Sequence, residues 1–336
     1  MTIEKRNKIV PQMVDYDLVG DHWVPYLMRF DRHDRTFPAV TTNEWGFRTT
    51  LSSNDTTISL ESIKNRETAC YSGVVIGSSA VFGVGATHDR HTIPSVLNRI
   101  TDGVWLNYGG RAFNSTQELI LFMLHFPEQI DNIVLSTGVN NITLSYLSDR
   151  PSPIYNSFFY QTMFEQAMTN WTSEPIGIRR ATIRLFREIK KYIFPEMPSI
   201  QRNNIDGCYK EIIMCFRRDL KLLKVIADGI GSSIYFALQP MATWIDKELS
   251  HQEVALFKIL DKMSIDYTVL AKYIAHVRDR YFDDVSRICH ELNVPFVNTN
   301  LDPSYKSKEW LFVDRVHLTD RGYEIAANIL KAGFKL

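Results

Sequence analysis

Three short apolar runs most constrain this chain: Gly73-Val74-Val75-Ile76, Val104-Trp105-Leu106 and Ile133-Val134-Leu135, about thirty residues apart. Each is continuous rather than alternating, as expected of a strand covered on both faces. Residues 92–100 lie between the first two and read as a helix, with Thr92 as N-cap and Pro94 in the first turn. Residues 115–126 lie between the second and third, with Leu119, Ile120, Met123 and Leu124 on one side of a second helix. Strand, helix, strand, helix, strand at this spacing implies right-handed crossovers and a parallel sheet.

The alternation then breaks for about ninety residues, until Ser233-Ile234-Tyr235-Phe236-Ala237-Leu238 supplies a fourth strand. The interval reads as helical over residues 178–194 and 205–228, the second helix stopping at Gly229. A helical insert of this length is credible as a lid or subdomain. Ser250 and Glu253 form a capping box at the start of a helix over 250–263. A long helix over 269–292, a fifth strand at Val294-Pro295-Phe296-Val297 and a last helix over 319–331 complete the pattern. Residues 1–70 read as a turn-rich extension packed on the core, with Trp23, Trp45 and Phe47 as anchors. Residues 71–336 read as one α/β domain of about five strands, with 143–232 as a large helical insertion.

Lys and Arg number 38, as do Asp and Glu, so the net charge is zero and nothing global calls for nucleic acid. The first residues lack the apolar stretch of a signal peptide, and no apolar run is long enough to span a bilayer. Cys70, Cys208, Cys215 and Cys289 have no close-paired metal spacing and read as reduced, mostly buried thiols of a cytoplasmic protein.

The chemistry concentrates where the first strand ends. There Gly77-Ser78-Ser79 is followed by Gly83 and Gly85 before the first helix. Ligands of open parallel sheets bind beyond the carboxyl ends of the strands. A serine opening the next helix presents its Oγ to that cleft, and its own N–H is an unpaired first-turn donor. The same turn also suits phosphate binding or plain helix capping.

A catalytic serine needs a base and a group to orient it. Of nine histidines, His88 and His91 sit in a polar loop, and His125, His251, His276 and His290 fall on expected helices. His317 lies between the fifth strand and the last helix, on the same edge as Ser79, with Asp314 three residues before it. Such a carboxylate fixes the imidazole tautomer. The loops after strands two and three can supply oxyanion donors: Asn107-Tyr108-Gly109-Gly110-Arg111-Ala112, and Asn140.

The order Gly-Ser-Ser, small-residue loop, Gly-Val-Asn-Asn, Asp-Arg-Val-His resembles the SGNH (GDSL-type) hydrolases. The resemblance covers residues 71–141 and 296–330, and Trp45-Gly46-Phe47-Arg48 is similar to a segment ahead of the core in bacterial members. It implies a three-layer, flavodoxin-like, doubly wound parallel sheet. It implies Ser79 as nucleophile, His317 as base and Asp314 as its partner, with no cofactor and no metal. It implies oxyanion donors at the Ser79 N–H, the Asn140 side chain and the second-block residue. That last place falls on Ala112, with Gly110 as the alternative. Two family aspartates are replaced, by Ser78 and Asn141, and neither performs the attack.

The expected activity is hydrolysis of a small O-acyl ester, such as an acylated sugar or metabolite. Residues 179–191, with Arg179, Arg180, Arg184, Arg187, Lys190 and Lys191, form either a solvated helix face or a docking site for an anionic or carrier-linked ligand. The latter would suit an acyltransferase. A non-catalytic ligand-binding module on the same scaffold is the third alternative.

Overall fold

In the computed structural model of the chain, residues 2–59, 71–127, 130–147, 158–161, 164, 205–262 and 265–336 are described. Five strands form the central sheet: β1 (Tyr71–Gly77), β2 (Gly103–Gly109), β3 (Asn132–Thr137), β4 (Ser233–Leu238) and β5 (Phe296–Asn298). They pair in the order β5-β4-β3-β1-β2, and every pair is parallel. The strand order reverses between β1 and β3, so the cleft at that switch point opens beyond their carboxyl ends. β5 starts at Phe296 because Pro295 has no N–H to donate, although its carbonyl accepts from Phe236.

The helices are α1 (Thr2–Ile9), α2 (Met13–Val19), α3 (Ser79–Phe82), α4 (Ile93–Ile100), α5 (Ser115–Leu124), α6 (Val139–Leu147), α7 (Ile205–Gly229), α8 (His251–Leu260), α9 (Ile265–His276), α10 (Arg278–Glu291) and α11 (Asp320–Phe334). The strands feed two cores by alternation. Val74, Ile76, Ile133 and Leu135 pack with residues of α5, α6, α7 and α10. Val75, Val134 and Ala237 pack with residues of α2, α4, α8 and α11. This is the parallel sheet that the apolar runs imply, in the three-layer, doubly wound arrangement expected from the resemblance.

Several boundaries differ from expectation. The run expected as one helix over 269–292 is two, broken at Val277, where ψ is 0°. The Trp244 indole donates to the Ile274 carbonyl at 3.0 Å, and that carbonyl would otherwise receive the Arg278 N–H. Thr92 precedes α4, but its hydroxyl donates to the Asp89 carbonyl instead of capping the helix. Ser250 and Glu253 do form the capping box of α8, and Thr319 caps α11 through Gly322 N–H. Of the three expected N-terminal anchors only Phe47 is buried; Trp23 and Trp45 are more than half exposed.

Residues 2–59 contribute to both cores through Val10, Met13, Tyr16 and Val19 on one side and Phe30 and Phe47 on the other. They also carry a buried ionic cluster. Arg48 is 1% exposed and donates to Asp89, to the Tyr16 hydroxyl at 2.8 Å and to the Ala39 carbonyl at 2.6 Å. Buried polar groups persist where, as here, each finds partners. Residues 165–204, which include the expected helix over 178–194 and the basic stretch 179–191, lie outside the described residues, as does Cys70. Cys208, Cys215 and Cys289 are buried thiols.

Candidate active site

β1 ends at Gly77 and the chain turns at once into α3, whose first residue is the half-exposed Ser79. The turn is tight because α3 stops after four residues at Gly83, where φ is +88°, a conformation open to glycine. The carbonyls that follow are tied down. Gly83 and Ala86 both face the Tyr16 hydroxyl, at 2.7 and 2.8 Å, and Val84 accepts from the Tyr323 hydroxyl at 2.7 Å. The Arg48 cluster therefore braces the turn behind Ser79. Gly109 at the end of β2 allows this turn to sit close, since a Cβ there would meet the Phe82 backbone.

His317 comes from a loop closed at its neck by the Phe312–Leu318 bridge and by the Val313 N–H on the His317 carbonyl at 3.0 Å. The Glu253 carboxylate accepts the Leu311 and Phe312 N–H groups at 3.0 and 3.1 Å, and Lys247 neutralises it from 2.6 Å. So held, His317 Nε2 lies 2.8 Å from Ser79 Oγ and Nδ1 lies 2.6 Å from Asp314 Oδ2. Asp314 Oδ1 accepts the N–H groups of Val316 and His317, both at 2.8 Å. Burial pushes the Asp314 carboxyl up, but the attraction of His317 and these hydrogen bonds outweigh it and hold the group below the usual carboxylate range. An ionised carboxylate only accepts, so His317 carries its proton on Nδ1 and Nε2 is left to accept from the Ser79 hydroxyl.

The loop after β2 is nearly saturated. Gly110 N–H donates to the Gly77 carbonyl at 3.0 Å, Arg111 N–H to Asp31 Oδ2 at 3.3 Å and Phe113 N–H to the Gly110 carbonyl at 3.2 Å. Gly110 is therefore committed to β1. Among the described residues the Ala112 N–H has no acceptor, and Ala112 holds φ +61°. Asn140 opens the helical stretch after β3, and its Nδ2 donates one hydrogen to the Phe113 carbonyl at 2.7 Å. The second hydrogen of that amide has no such commitment.

Ser78 and Asn141 both have structural partners. Ser78 donates to Gln239 Oε1 at 3.2 Å, linking the turn to the end of β4. Asn141 accepts the Ser115 N–H at 3.1 Å and donates to its hydroxyl at 2.8 Å, fixing the start of α5. Beneath the loop after β3 lies Glu118, fully buried, accepting from the Thr137 hydroxyl at 2.6 Å while its other oxygen has no hydrogen-bond partner among the described residues. Burial pushes this carboxyl up to about 8. Among the described residues no group of three His, Cys, Asp or Glu side chains is arranged to hold a metal ion. No helix among them is long and apolar enough to cross a membrane.

Sequence reasoning missed Arg29, Asp31 and the Arg111 side chain, which surround the β2 loop. Arg111 donates to Asp31, to the Tyr16 carbonyl at 2.9 Å and to the Gly20 carbonyl at 2.6 Å. Nothing in the local pattern of residues 21–31 marks them, because the contact spans 80 residues.

No protein-family model and no curated protein sequence matches the chain. Solved structures do. A protein described as lipolytic and of the G-D-S-L family, from Desulfitobacterium hafniense DCB-2, is 12% identical over 79% of this chain and 99% of its own, with a TM-score of 0.42. An acetylxylan esterase from Geobacillus stearothermophilus is 14% identical over 80% and 96%, with a TM-score of 0.40. A second acetyl xylan esterase is 13% identical over 78% and 98%, with a TM-score of 0.41. By the order of its four sequence blocks and of its five strands, the chain resembles the SGNH (GDSL-type) hydrolases.

Proposed function

We propose that this protein is a serine-dependent ester hydrolase. The observation that carries the reading is the unbroken hydrogen-bond chain from Ser79 Oγ through His317 to the Asp314 carboxylate. Ser79 is the nucleophile, His317 the general base and Asp314 the group that orients it. As Ser79 Oγ bonds to the ester carbonyl carbon, its proton passes to His317 Nε2. The resulting oxyanion is received by the Ser79 N–H, the Ala112 N–H and the free hydrogen of Asn140 Nδ2. A donor of this kind contributes about 3 kcal/mol to the transition state. Collapse expels the alcohol, which takes the proton from His317. Water then attacks the acyl-enzyme, giving up a proton to His317, and the acid leaves as Ser79 recovers its hydrogen. The substrate class is a small O-acyl ester such as an acylated sugar or metabolite.

The test is intact mass after incubation with a fluorophosphonate, beside hydrolysis of p-nitrophenyl acetate. Wild type should gain one adduct and turn over the ester; Ser79→Ala should do neither, and His317→Ala should lose turnover while keeping its melting temperature. Turnover retained in folded Ser79→Ala would overturn the assignment.

A further inference from the structure

The donor peptide of the site is gripped from behind by the N-terminal extension. The carbonyl of Arg111 and the N–H of Ala112 belong to one trans peptide unit, so they point in opposite directions. Arg29 Nη1 donates to that carbonyl at 3.3 Å. Two residues along the same segment, Asp31 accepts the Arg111 N–H and its guanidinium. One two-residue strand and its flank thus fix the plane of the Arg111–Ala112 peptide from both sides of Arg111.

Two features of Arg29 go beyond a staple. It is only 8% exposed, and its Nε is ion-paired with Asp21 Oδ2 at 3.2 Å without forming a hydrogen bond among the described residues; the Tyr160 ring covers the guanidinium at 4.2 Å. Burying a guanidinium costs solvation, which one ion pair to Asp21 offsets only in part. Its electrostatic effect is on the peptide it touches. A charged donor on the carbonyl polarises the amide and strengthens its N–H as a donor. The cation also stands behind the point where negative charge develops. Ala112 needs such help, since φ +61° is a conformation that alanine holds only when its surroundings impose it.

We infer that Arg29 is a positioning residue for the oxyanion site, holding the Arg111–Ala112 peptide so that the Ala112 N–H faces the developing charge. This rests on the hydrolase reading above. It makes residues 21–31 part of the catalytic apparatus, not merely a cover on the core.

The test compares wild type with Arg29→Met, which keeps bulk against Tyr160 and removes the charge and the donor. Rates with p-nitrophenyl acetate are normalised to the sites titrated by fluorophosphonate. The expected result is a kcat lower by roughly 10–100-fold with KM within about twofold, because a misplaced group costs transition-state stabilisation and not ground-state binding. Inhibition by phenylboronic acid, whose tetrahedral adduct mimics the oxyanion, should weaken in parallel with kcat/KM. Arg29→Lys should recover part of kcat. A folded Arg29→Met with kcat per site within twofold of wild type and unchanged boronate affinity would overturn the inference. If Arg29→Met fails to fold, Arg29→Met/Asp21→Asn is compared with Asp21→Asn by the same criteria. A wild type that neither labels nor turns over ester overturns the hydrolase reading and this inference with it. An active, labelled wild type beside an equally active Arg29→Met overturns this inference alone.

Discussion

Replacing Asp314 with asparagine should remove nearly all turnover without moving a heavy atom far. Oδ1 of Asp314 accepts two backbone N–H groups, at 2.8 Å each. An asparagine must keep its oxygen there, since its NH₂ would face two donors. Its NH₂ is then placed against His317 Nδ1, where the carboxylate oxygen now lies at 2.6 Å. Nδ1 must become the acceptor, so the imidazole proton shifts to Nε2, 2.8 Å from Ser79 Oγ. That nitrogen can no longer take the serine proton. A base locked in the wrong tautomer costs about 10⁴ in kcat, or about 5.4 kcal/mol of barrier. The assay is kcat for p-nitrophenyl acetate at pH 7, per folded molecule, with the melting curve alongside. The melting curve adds an independent check. The Asp314 carboxyl is held low in the fold, against burial, by His317 and its hydrogen bonds, so it contributes stability above its unfolded pKa of about 3.9 and loses it as pH falls through the folded value. The stability gap between wild type and Asp314→Asn should be full at pH 7 and close below about pH 4. A kcat within tenfold of wild type would refute the tautomer argument.

Asn140→Ala should lower kcat by roughly 10²–10³-fold with little change in KM, while stranding the Phe113 carbonyl it now serves; a change confined to KM would assign Asn140 to ground-state binding. Ala112→Gly should keep kcat within about threefold and raise stability by about 0.5–1 kcal/mol, because glycine accepts φ +61° freely but starts from a more disordered unfolded chain; a lower melting temperature would contradict this. Glu118→Gln should flatten the alkaline loss of stability. The Glu118 carboxyl is raised to about 8 by burial, so stability is full below about pH 4.5 and is lost as pH rises toward 8, by an amount on the order of 4 kcal/mol. Melting curves at pH 5 and pH 8 for both proteins check it, and parallel curves would sink it.

Much of the candidate site was legible in the sequence for one reason: its candidate groups sit at element boundaries, directly after strands whose apolar runs are unmistakable or just before the last helix. Ser79 follows β1, Asn140 follows β3, and Asp314 and His317 precede α11. Spacing three residues apart was enough to suggest that Asp314 reaches His317. Which of the Gly110 and Ala112 N–H groups is engaged within the fold was not legible, because it turns on which N–H the Gly77 carbonyl takes. The break at Val277 was also hidden, since it depends on an indole that arrives from residue 244.

What the sequence alone determined, then, is local: where most strands and helices form, which ends face the cleft and which side chains stand at that edge. Periodicity and caps decide these within a few residues of chain. The tertiary structure alone decided the environment of those groups. It closed the Ser79–His317 distance across 238 residues, left one N–H of the β2 loop without an acceptor among the described residues, and set Arg29 behind that peptide. Hydrogen bonds between segments distant in sequence have no periodicity to betray them; only folding brings their partners within reach.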